Sequence, residues 1–528
     1  MNFEPVIGLE IHVQLKTKTK MFCDSKNDPD EKHPNINICP ICVGQPGTLP
    51  TINLEAVKKT ILLGLALNCK IAGYTFFERK NYFYPDLPKG YQISQYQAPL
   101  CTGGLLEIST SNNFAVKNPK FQNPNDKSNS NSQDSKRRVR IRRIHLEEDT
   151  GRLLHSPDGK YSLIDFNRAG VPLLELVTEP DLRSGEEVRR FGEEIQLILR
   201  YLGISDADMQ KGQLRVEVNI SLSQKSEVRS KKPEKKLGAK VELKNINSFK
   251  FAEQAVNYEI KRQTELLERG KKVIQETRGW DEVRQRTFSQ RTKEESHDYR
   301  YFPEPDLPPL RIADGDIDLE EIRRMLVELP QQRRERFKKL YNLPEHDVEV
   351  LTVNKQLGDY FEKVVSELKA WEKILKQRRS SEITKKLVKL AANYLITELP
   401  KLLYERGIGM EGIEYIKITP ENFAEFIARI YHQEVSSSAA QVLLKEMFET
   451  GEEPRVIIER KDLAQVSGVE ELTRAVKETI DENPKPVEDY KKGKKESLQF
   501  LIGLVMKKTK GKANPQMTRE ILEKELGG

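Results

Sequence analysis

The first residues whose types and spacing could support chemistry lie close to the N-terminus. The segment VIGLEIHVQL, residues 6–15, has the two-residue period of a β-strand. Successive side chains of a strand point to opposite faces, so Glu10, His12 and Gln14 share one face and apolar residues form the other. If neighbouring strands add carboxylates to this polar face, the resulting oxygen-lined site can bind a hard cation such as Mg²⁺.

Further carboxylates occur in three segments that we predict to be strands or strand ends. RIRRIHLEEDTGRLLH, residues 140–155, has three consecutive acidic residues from Glu147 to Asp149. PLLELVTEP carries Glu175, and RVEVNISL carries Glu217. Neighbouring carboxylates repel one another unless opposite charges or a metal neutralise them. These segments therefore predict either a solvated turn between strands or a cation site that binds nucleotide phosphates.

Basic and aromatic residues are concentrated in ERKNYFYPDLPKGYQISQY, residues 78–96. Arg79 and Lys80 lie beside Tyr82 and Tyr84, next to a turn rich in Pro and Gly. Such residues can stack on a base and neutralise phosphates, or they can be core aromatics beside a surface loop. The chain has no GxxxxGK[ST] segment and no GxGxxG after a strand, so any ATP site is of another kind.

A loop with three cysteines, MFCDSKNDPDEKHPNINICPICVGQPGTLP, is compatible with a structural zinc site. Cys39 and Cys42 have the C-x-x-C spacing that lets two thiolates bind one tetrahedral ion, and Cys23 is a candidate third ligand. Asp24, His33 or water would have to complete the shell. The alternative is a metal-free loop held by apolar packing. Five cysteines in 528 residues do not form a disulfide framework, which favours a reducing compartment.

Composition and charge limit the class of protein. Charged residues form 32% of the chain, and no apolar run approaches the about 20 residues of a membrane-spanning helix. The first residues have the pattern of neither a signal peptide nor a transit peptide, so we expect a cytoplasmic protein without membrane association. From Lys491 to Gly528, ten Lys or Arg residues accompany four Glu residues. A localised basic surface of this kind attracts phosphate backbones.

Periodicity and turn residues divide the chain into three predicted domains. Residues 1–300 mix short extended segments with three helices, which predicts an α+β domain on an antiparallel sheet. Beyond a cluster of prolines, residues 301–410 and 411–528 have helical spacing almost throughout. Two polar stretches, 121–138 and 224–236, have nothing to bury and are predicted to be mobile loops.

Local signals also predict where helices begin and end. Ser184 with Glu187 three residues later predicts a capping box, and Gly203 predicts the end of the same helix. The chain has no Ser-Ser-Lys arrangement of the amidase type, and SSSAA at 436–440 is typical of a helix cap.

Several segments identify a family by their order and spacing. They are VIGLEIHVQL, RKNYFYPDLPKGYQISQY, HLEEDTGR, DFNRAGVPLLELVTEPD, VELKNINSF, QETRGWD, DYRYFPEPDLPPL and MKKTKGKANPQMTREIL. This series resembles the B-subunit (GatB/GatE) family of the tRNA-dependent amidotransferases, and the resemblance covers nearly the whole chain.

The resemblance implies a fold and a reaction. The fold is an N-terminal cradle domain akin to glutamine synthetase and guanidino kinases, followed by an all-α helical domain and an all-α tail domain similar to the YqeY family. The reaction uses ATP to phosphorylate the side-chain carboxylate of Glu or Asp misacylated onto tRNA(Gln) or tRNA(Asn). Ammonia from an amidase A subunit then displaces phosphate. A small C subunit completes the implied heterotrimer.

Carried over by motif, the resemblance implies roles for particular residues of this chain. The implied catalytic residues are Glu10, His12, Lys80, Glu148 and Glu217, the last of which stands where the family usually has Asp. The implied nucleotide-binding residues are Arg79, Lys80, Tyr82 and Tyr84. The implied Mg²⁺ ligands are Glu10, His12 and Glu148, and the zinc ligands are Cys23, Cys39 and Cys42. The implied tRNA-binding residues are Lys507, Lys508, Lys510 and Lys512. Many members have C-x-C at the first cysteine pair, where this chain has Cys23-Asp24-Ser25.

Two alternatives belong to other functional classes. The chain could be a catalytically silent scaffold that presents aminoacyl-tRNA to a partner, which the acidic segments argue against. It could also be a ligase for free glutamate, which the basic C-terminal segment argues against.

Overall fold

A computed structural model gives the fold of the chain. It describes residues 3–109, 136–224, 238–292, 298–374, 380–464, 469–509 and 512–527. The chain divides into two compact units, Met1–Pro330 and Gln331–Gly528. The predicted domain boundaries near residues 300 and 410 stay predictions. The polar stretches 121–138 and 224–236 lie almost wholly outside the described residues.

The first unit is built on β-strands that assemble into one large and two small sheets. Its described strands are β1 (Phe3–Gln14), β2 (Lys70–Ile71), β3 (Glu78–Asn81), β4 (Tyr91–Ser94), β5 (Cys101–Ser109), β6 (Lys136–Glu148), β7 (Arg152–His155), β8 (Ser162–Asp165), β9 (Pro172–Thr178), β10 (Leu214–Gln224), β11 (Val241–Ile246), β12 (Glu276–Asp281), β13 (Arg286–Thr292) and β14 (Phe302–Pro303). The large sheet has the order β13-β12-β11-β10-β1-β9-β6-β5-β2. The order β14-β3-β4 forms a second sheet, and β7 pairs with β8. Neighbouring strands are antiparallel, whereas β11 and β12 run parallel.

β1 lies near the middle of the large sheet, between β9 and β10. Its apolar residues Leu9, Ile11 and Val13 are at most 1% exposed, so the predicted alternation of β1 is confirmed. The helices α1 (Leu54–Ala66), α2 (Gly185–Tyr201) and α3 (Phe249–Glu268) contribute to the same hydrophobic cluster as these residues. Because one face of β1 belongs to the core, its polar residues point to the opposite face of the sheet.

β6 contains a β-bulge that changes which of its residues reach the polar face. Its pairing with β9 matches Ile141 with Thr178 but Arg143 with Val177, so Arg142 is an extra residue. The buried apolar side chains of β6 accordingly change from odd-numbered to even-numbered positions beyond the bulge. A bulge shifts the alternation by one residue, so the odd-numbered residues beyond it turn to the polar face.

The remaining described helices lie toward the C-terminus. They are α4 (Leu319–Arg324), α5 (Pro330–Tyr341), α6 (Glu345–Val353), α7 (Lys355–Ile374), α8 (Ser380–Glu405), α9 (Pro420–Tyr431), α10 (Ser437–Thr450), α11 (Pro454–Lys461), α12 (Val469–Glu482), α13 (Pro484–Lys491), α14 (Glu496–Lys508) and α15 (Pro515–Glu525). Helices α5 to α11 share one hydrophobic cluster, and α12, α14 and α15 form another. The predicted α+β class, with a sheet in the N-terminal part and helices in the C-terminal part, is confirmed.

The helix ends follow the local signals of the sequence. Ser184 Oγ accepts a hydrogen bond from Glu187 N at 3.2 Å, and Gly203 has a φ angle of 64° after the end of α2. Ser436 caps α10 by accepting from Ala439 N, as SSSAA predicts. Within the described parts of the chain, no helix has the length and apolar character to span a membrane.

Candidate functional site

Three strands of the large sheet bring a histidine and two carboxylates together on the polar face. His12 on β1 lies opposite Glu175 on β9, and Glu175 lies opposite His145 on β6. The Nε2 atom of His12 is 3.4 Å from Glu175 Oε2 and 3.7 Å from Glu147 Oε1. Ligand atoms of His12, Glu147 and Glu175 lie within 4.8 Å of one another, and we call these three residues the His12 cluster.

His145 borders this cluster, although sequence reasoning did not single it out. Its Nε2 atom is 3.4 Å from Glu175 Oε2 and 3.9 Å from Glu147 Oε2, and its side chain is 3% exposed. The sequence signal for it is the change of apolar period within RIRRIHLEED. That change marks the bulge and places His145 and Glu147 on one face.

Charge interactions dominate the electrostatics of the His12 cluster. Burial disfavours a charged imidazole, but the carboxylates of Glu175, Glu147 and Glu217 outweigh burial and raise the pKa of His12 to about 9. Burial also opposes the charge on Glu175, yet His145 and His12 hold the pKa of that carboxyl well below its usual range. Among the described residues, neither His12 Nδ1 nor His145 Nδ1 has a hydrogen-bond partner.

A second carboxylate cluster lies beside the first on the same face of the sheet. Glu10 lies opposite Glu217 in the β1–β10 pair, and both lie near Glu242 of β11. Lys244 Nζ is 2.8 Å from Glu217 Oε2 and 3.5 Å from Glu242 Oε1. Asn219 Nδ2 donates to Glu10 Oε1 at 2.8 Å. A cation of the protein therefore balances part of the charge of this second cluster.

Glu148 lies apart from both clusters, although its neighbour Glu147 belongs to the first. Lys89 Nζ is 2.5 Å from Glu148 Oε1, and the same oxygen accepts from Ile93 N at 2.9 Å. The carboxylates of Glu148 and Glu147 diverge because they occupy successive positions of one strand. The structure therefore brings Glu147, and not Glu148, next to His12.

Arg79 is committed to a contact within the fold. Its Nε and Nη2 atoms donate to the two carboxylate oxygens of Glu304 at 2.7 and 2.8 Å. The side chain of Glu304 is 0% exposed, and Nη2 of Arg79 also reaches Asp306 at 3.1 Å. This fork-shaped ion pair joins β3 to the segment after β14, so the Arg79 donors on these atoms are occupied.

Lys80 lies near the His12 cluster and is flanked by tyrosine rings. Its Nζ atom is 5.1 Å from the ring centroid of Tyr299 and 5.8 Å from that of Tyr82. Burial disfavours its charge, but nearby groups, led by the Glu147 carboxylate, raise the pKa of Lys80 above its usual value. Tyr84, the other predicted nucleotide contact, is 59% exposed.

Tyr96, Tyr301 and Arg143 also lie beside Lys80 and Tyr299, although they are far apart in the sequence. The rings of Tyr96 and Tyr301 are stacked, with centroids 4.7 Å apart, and Tyr299 meets Tyr301 edge-on at 6.2 Å. The guanidinium carbon of Arg143 lies 5.3 Å from the centroid of Tyr96. Sequence reasoning missed Tyr299 and Tyr301 because only the pairing of β14 with β3 brings them to the site.

The donor atoms of the His12 cluster fit a divalent cation. Carboxylate oxygens are preferred ligands of Mg²⁺, and an imidazole nitrogen also suits Mn²⁺. The close approach of two carboxylates to His12 Nε2 agrees with such an ion. The predicted Mg²⁺ ligands Glu10, His12 and Glu148 do not lie together. His12 belongs to the His12 cluster, Glu10 belongs to the second carboxylate cluster beside it, and Glu148 lies apart from both.

The cysteine loop brings its three cysteines together. The Sγ atoms of Cys23, Cys39 and Cys42 lie within 4.8 Å of one another, which fits a tetrahedral thiolate site. A hydrogen bond with Cys23 and the ammonium of Lys20 lower the pKa of Cys42 to about 5 against the effect of burial. Ser25 Oγ is 3.9 Å from Cys42 Sγ and occupies the place beside the three thiols.

Asp24 and His33, the predicted alternatives for the fourth ligand, lie elsewhere. Asp24 is exposed, and His33 Nδ1 is 2.9 Å from Glu31 Oε1 with its side chain 82% exposed. The cluster with Ser25 therefore supplies three sulfur ligands and a hydroxyl neighbour for an ion.

The basic residues near the C-terminus differ in their surroundings. Lys507 is exposed at the end of α14. Lys508 forms ion pairs with Glu478 at 2.8 Å and Glu482 at 2.9 Å, and Lys512 pairs with Asp462. Lys510 lies outside the described residues.

Comparisons with known proteins cover the length of the chain. A model of the GatB/GatE catalytic domain matches residues 5–318, and a model of the GatB domain matches residues 359–526. The B subunit of the aspartyl/glutamyl-tRNA(Asn/Gln) amidotransferase of Caldicellulosiruptor saccharolyticus is 46% identical over 526 residues, covering 100% of this chain and 99% of the relative.

Two further relatives of the same name are equally complete matches. The protein of Thermotoga maritima is 44% identical over 532 residues, and that of Persephonella marina is 45% identical over 526 residues. Each alignment covers 100% of both chains. The chain therefore belongs to the GatB/GatE family and is a B-type subunit of a tRNA-dependent amidotransferase, a ligase of translation.

Proposed function

We propose that this chain carries the kinase and transamidase site of the amidotransferase. It uses ATP to phosphorylate the side-chain carboxylate of Glu on tRNA(Gln), of Asp on tRNA(Asn), or of both. Ammonia then replaces the phosphoryl group to give Gln-tRNA(Gln) or Asn-tRNA(Asn). The observation that supports this proposal is the convergence of the His12 cluster and Lys80 on one face of the large sheet.

The chemistry explains why such a face is needed. A carboxylate is a poor acyl donor, so amide formation requires an activated intermediate with a good leaving group. Phosphoryl transfer is accelerated mainly by positioning and by fixed charges near the transferring group. Lys80 supplies such a charge, and its ammonium lies beside the rings of Tyr82 and Tyr299.

A bound Mg²⁺ would supply charge neutralisation of the nucleotide phosphates. The residues that would hold it are His12, Glu147 and Glu175, with Glu10 and Glu217 in the adjacent cluster. His145 holds Glu175 in place from the opposite side. Glu148 fixes β4 through Ile93 and Lys89, and in this way it supports the wall of the site.

The nitrogen source and the tRNA contacts complete the proposal. An amidase A subunit hydrolyses glutamine and delivers ammonia, and a small C subunit completes a cytoplasmic heterotrimer. Exposed basic residues at the end of α14, including Lys507, contact the tRNA backbone. The first unit is a cradle related to glutamine synthetase and guanidino kinases, and the last helices form a tail of the YqeY type.

The test uses the complex with its A and C subunits and feeds it ammonia, which bypasses glutamine hydrolysis. Conversion of Glu-tRNA(Gln) is compared between the native complex and Glu175→Gln, because Glu175 contacts both histidines of the site. We expect the variant to lose about 100-fold or more in rate, as charged active-site groups commonly do. Glu179→Gln is the matched control, since Glu179 lies just beyond the end of β9.

Two results decide between this proposal and the silent scaffold. Loss in Glu175→Gln with normal conversion by Glu179→Gln supports catalysis on this chain. Full conversion by both variants would favour a scaffold that only presents the aminoacyl end to its partner.

A further inference from the structure

Arg143 lies at the edge of the His12 cluster with hydrogen-bonding capacity that its neighbours do not use. Its nearest carboxylate oxygen is Glu175 Oε1, 3.9 Å from Nη2, which is too far for a hydrogen bond. Its Nε atom is buried and has no hydrogen-bond partner among the described residues. An arginine has five N–H donors, so this guanidinium is prepared for an acceptor that is not part of the fold.

The backbone of β6 is arranged to aim Arg143 at the site. The bulge at Arg142 shifts the strand by one residue. If the strand alternated regularly through Arg142, Arg143 would lie on the same face as Ile141, which is the core face. Bulges next to active sites commonly redirect a side chain in this manner. The extra residue itself, Arg142, is exposed.

The ring that supports the guanidinium is also fixed. Tyr96 stacks on Tyr301, and the backbone N–H groups of Tyr96 and Gln97 donate to the buried carboxylate of Glu78 at 2.6 and 2.8 Å. The Arg143 guanidinium lies over this anchored ring, so little rotamer freedom remains to be lost when it binds a ligand.

Other arginines of the first unit are used differently. Arg79 forms its paired hydrogen bonds with Glu304, and Arg215 reaches the buried carboxylate of Asp149 at 3.1 Å. These two side chains join elements of the fold. Arg143 shares the carboxylate of Glu175 with Lys80, because both cations lie near it.

We propose that Arg143 binds the oxygens of the phosphoryl group while it passes from ATP to the substrate carboxylate, and this inference rests on the proposed function. The bond between the γ-phosphorus and its bridging oxygen breaks, ADP keeps the electron pair, and a carboxylate oxygen forms the new P–O bond. Ammonia later forms the C–N bond and gives up one proton, the C–O bond breaks, and phosphate leaves with that electron pair and takes up the proton. Arg143 keeps its proton throughout, and its planar fork matches two phosphoryl oxygens.

The test measures ligand binding, so it does not depend on turnover. ADP binding to the complex with A and C subunits is measured by calorimetry, without and with aluminium fluoride as a mimic of the transferring phosphoryl group. In the native complex, we expect aluminium fluoride to tighten ADP binding. In Arg143→Gln, ADP alone should bind as in the native complex. With aluminium fluoride present, ADP should bind the variant about 100-fold more weakly than it binds the native complex.

Two further variants make the result specific. Arg143→Lys keeps the positive charge but lacks the planar, forked guanidinium. Aluminium fluoride should therefore tighten ADP binding in this variant less than in the native complex. Arg142→Gln, at the exposed neighbouring position, should behave like the native complex.

Each outcome has a separate meaning. If Arg143→Gln keeps the full gain from aluminium fluoride, the inference is wrong while the proposed function stands. If ADP binding and the melting temperature both fall in Arg143→Gln and Arg143→Lys, the residue is structural and the inference is again wrong. If the native complex does not bind ADP, the proposed function fails, and the inference fails with it.

Discussion

Adjacent residues in this protein can lie in opposite surroundings, and Glu147 and Glu148 are the clearest case. Glu147 faces His12 and His145 on the polar face of the sheet. Glu148 points the other way into a buried ion pair with Lys89. Two identical side chains in consecutive positions thus have different surroundings, and only the direction of each residue on the strand separates them.

The ion pair of Glu148 and Lys89 predicts a stability effect. Their side chains are 4% and 8% exposed, so Glu148→Gln leaves a buried ammonium without its counter-charge. We expect the free energy of unfolding of the first unit to fall by about 3 kcal/mol. The double variant Glu148→Gln/Lys89→Met should recover much of this loss, because it removes the stranded charge.

Urea denaturation followed by tryptophan fluorescence checks this prediction. The chain has two tryptophans, and Trp371→Phe leaves Trp280 of the first unit as the reporter. Equal stability of Glu148→Gln and the parent protein would contradict the account of this pair.

Whole strands, and not single residues, determine which side chains meet. The antiparallel register of β1, β9 and β6 places His12, Glu175 and His145 in one row across three strands. On β6 the bulge accommodates Arg142, so His145 joins this row while Val139 and Ile141 stay on the core face. The site is therefore specified by pairing geometry, and a one-residue change in register would remove it.

Deletion of Arg142 tests the role of the bulge. Removing the extra residue makes the alternation of β6 continuous, so Val139, Ile141, Ile144 and Leu146 all stay on the core face. We expect the first unit to fold, which circular dichroism and limited proteolysis would show. Arg142→Ala keeps the chain length, and its free energy of unfolding should lie within about 0.5 kcal/mol of that of the native protein. An unfolded deletion variant would refute the account.

Part of this arrangement is readable from the sequence. The alternation of residues 6–15 predicts β1 and its polar face, and Ser184 and Gly203 predict the ends of α2. The choice between Glu147 and Glu148 is not readable from an alternating pattern alone, because it depends on the position of the bulge. The contact of Arg79 with Glu304 joins elements far apart in the sequence, and no local pattern encodes it.

At the scale of the molecule, the two units carry different physical features. The first unit holds the buried charges of the His12 cluster and its neighbours. In the second unit, α14 and α15 pack with α12 through Leu472, Leu501 and Leu522. Removal of residues 491–528 would therefore disrupt this helical cluster as well as remove basic charge, and substitution of exposed Lys507 is the more specific probe of tRNA binding.

The central claim is that the polar face of the large sheet activates the carboxylate of the aminoacyl-tRNA. The most direct measurement is ADP formation in a single turnover by the complex with ATP and Glu-tRNA(Gln), in the absence of glutamine and ammonia. The native complex should release a burst of about one ADP per complex, and uncharged tRNA should give none. Glu147→Gln should slow the burst about 100-fold or more with tRNA binding unchanged. An equal burst in Glu147→Gln would contradict the account and place the phosphorylation site elsewhere.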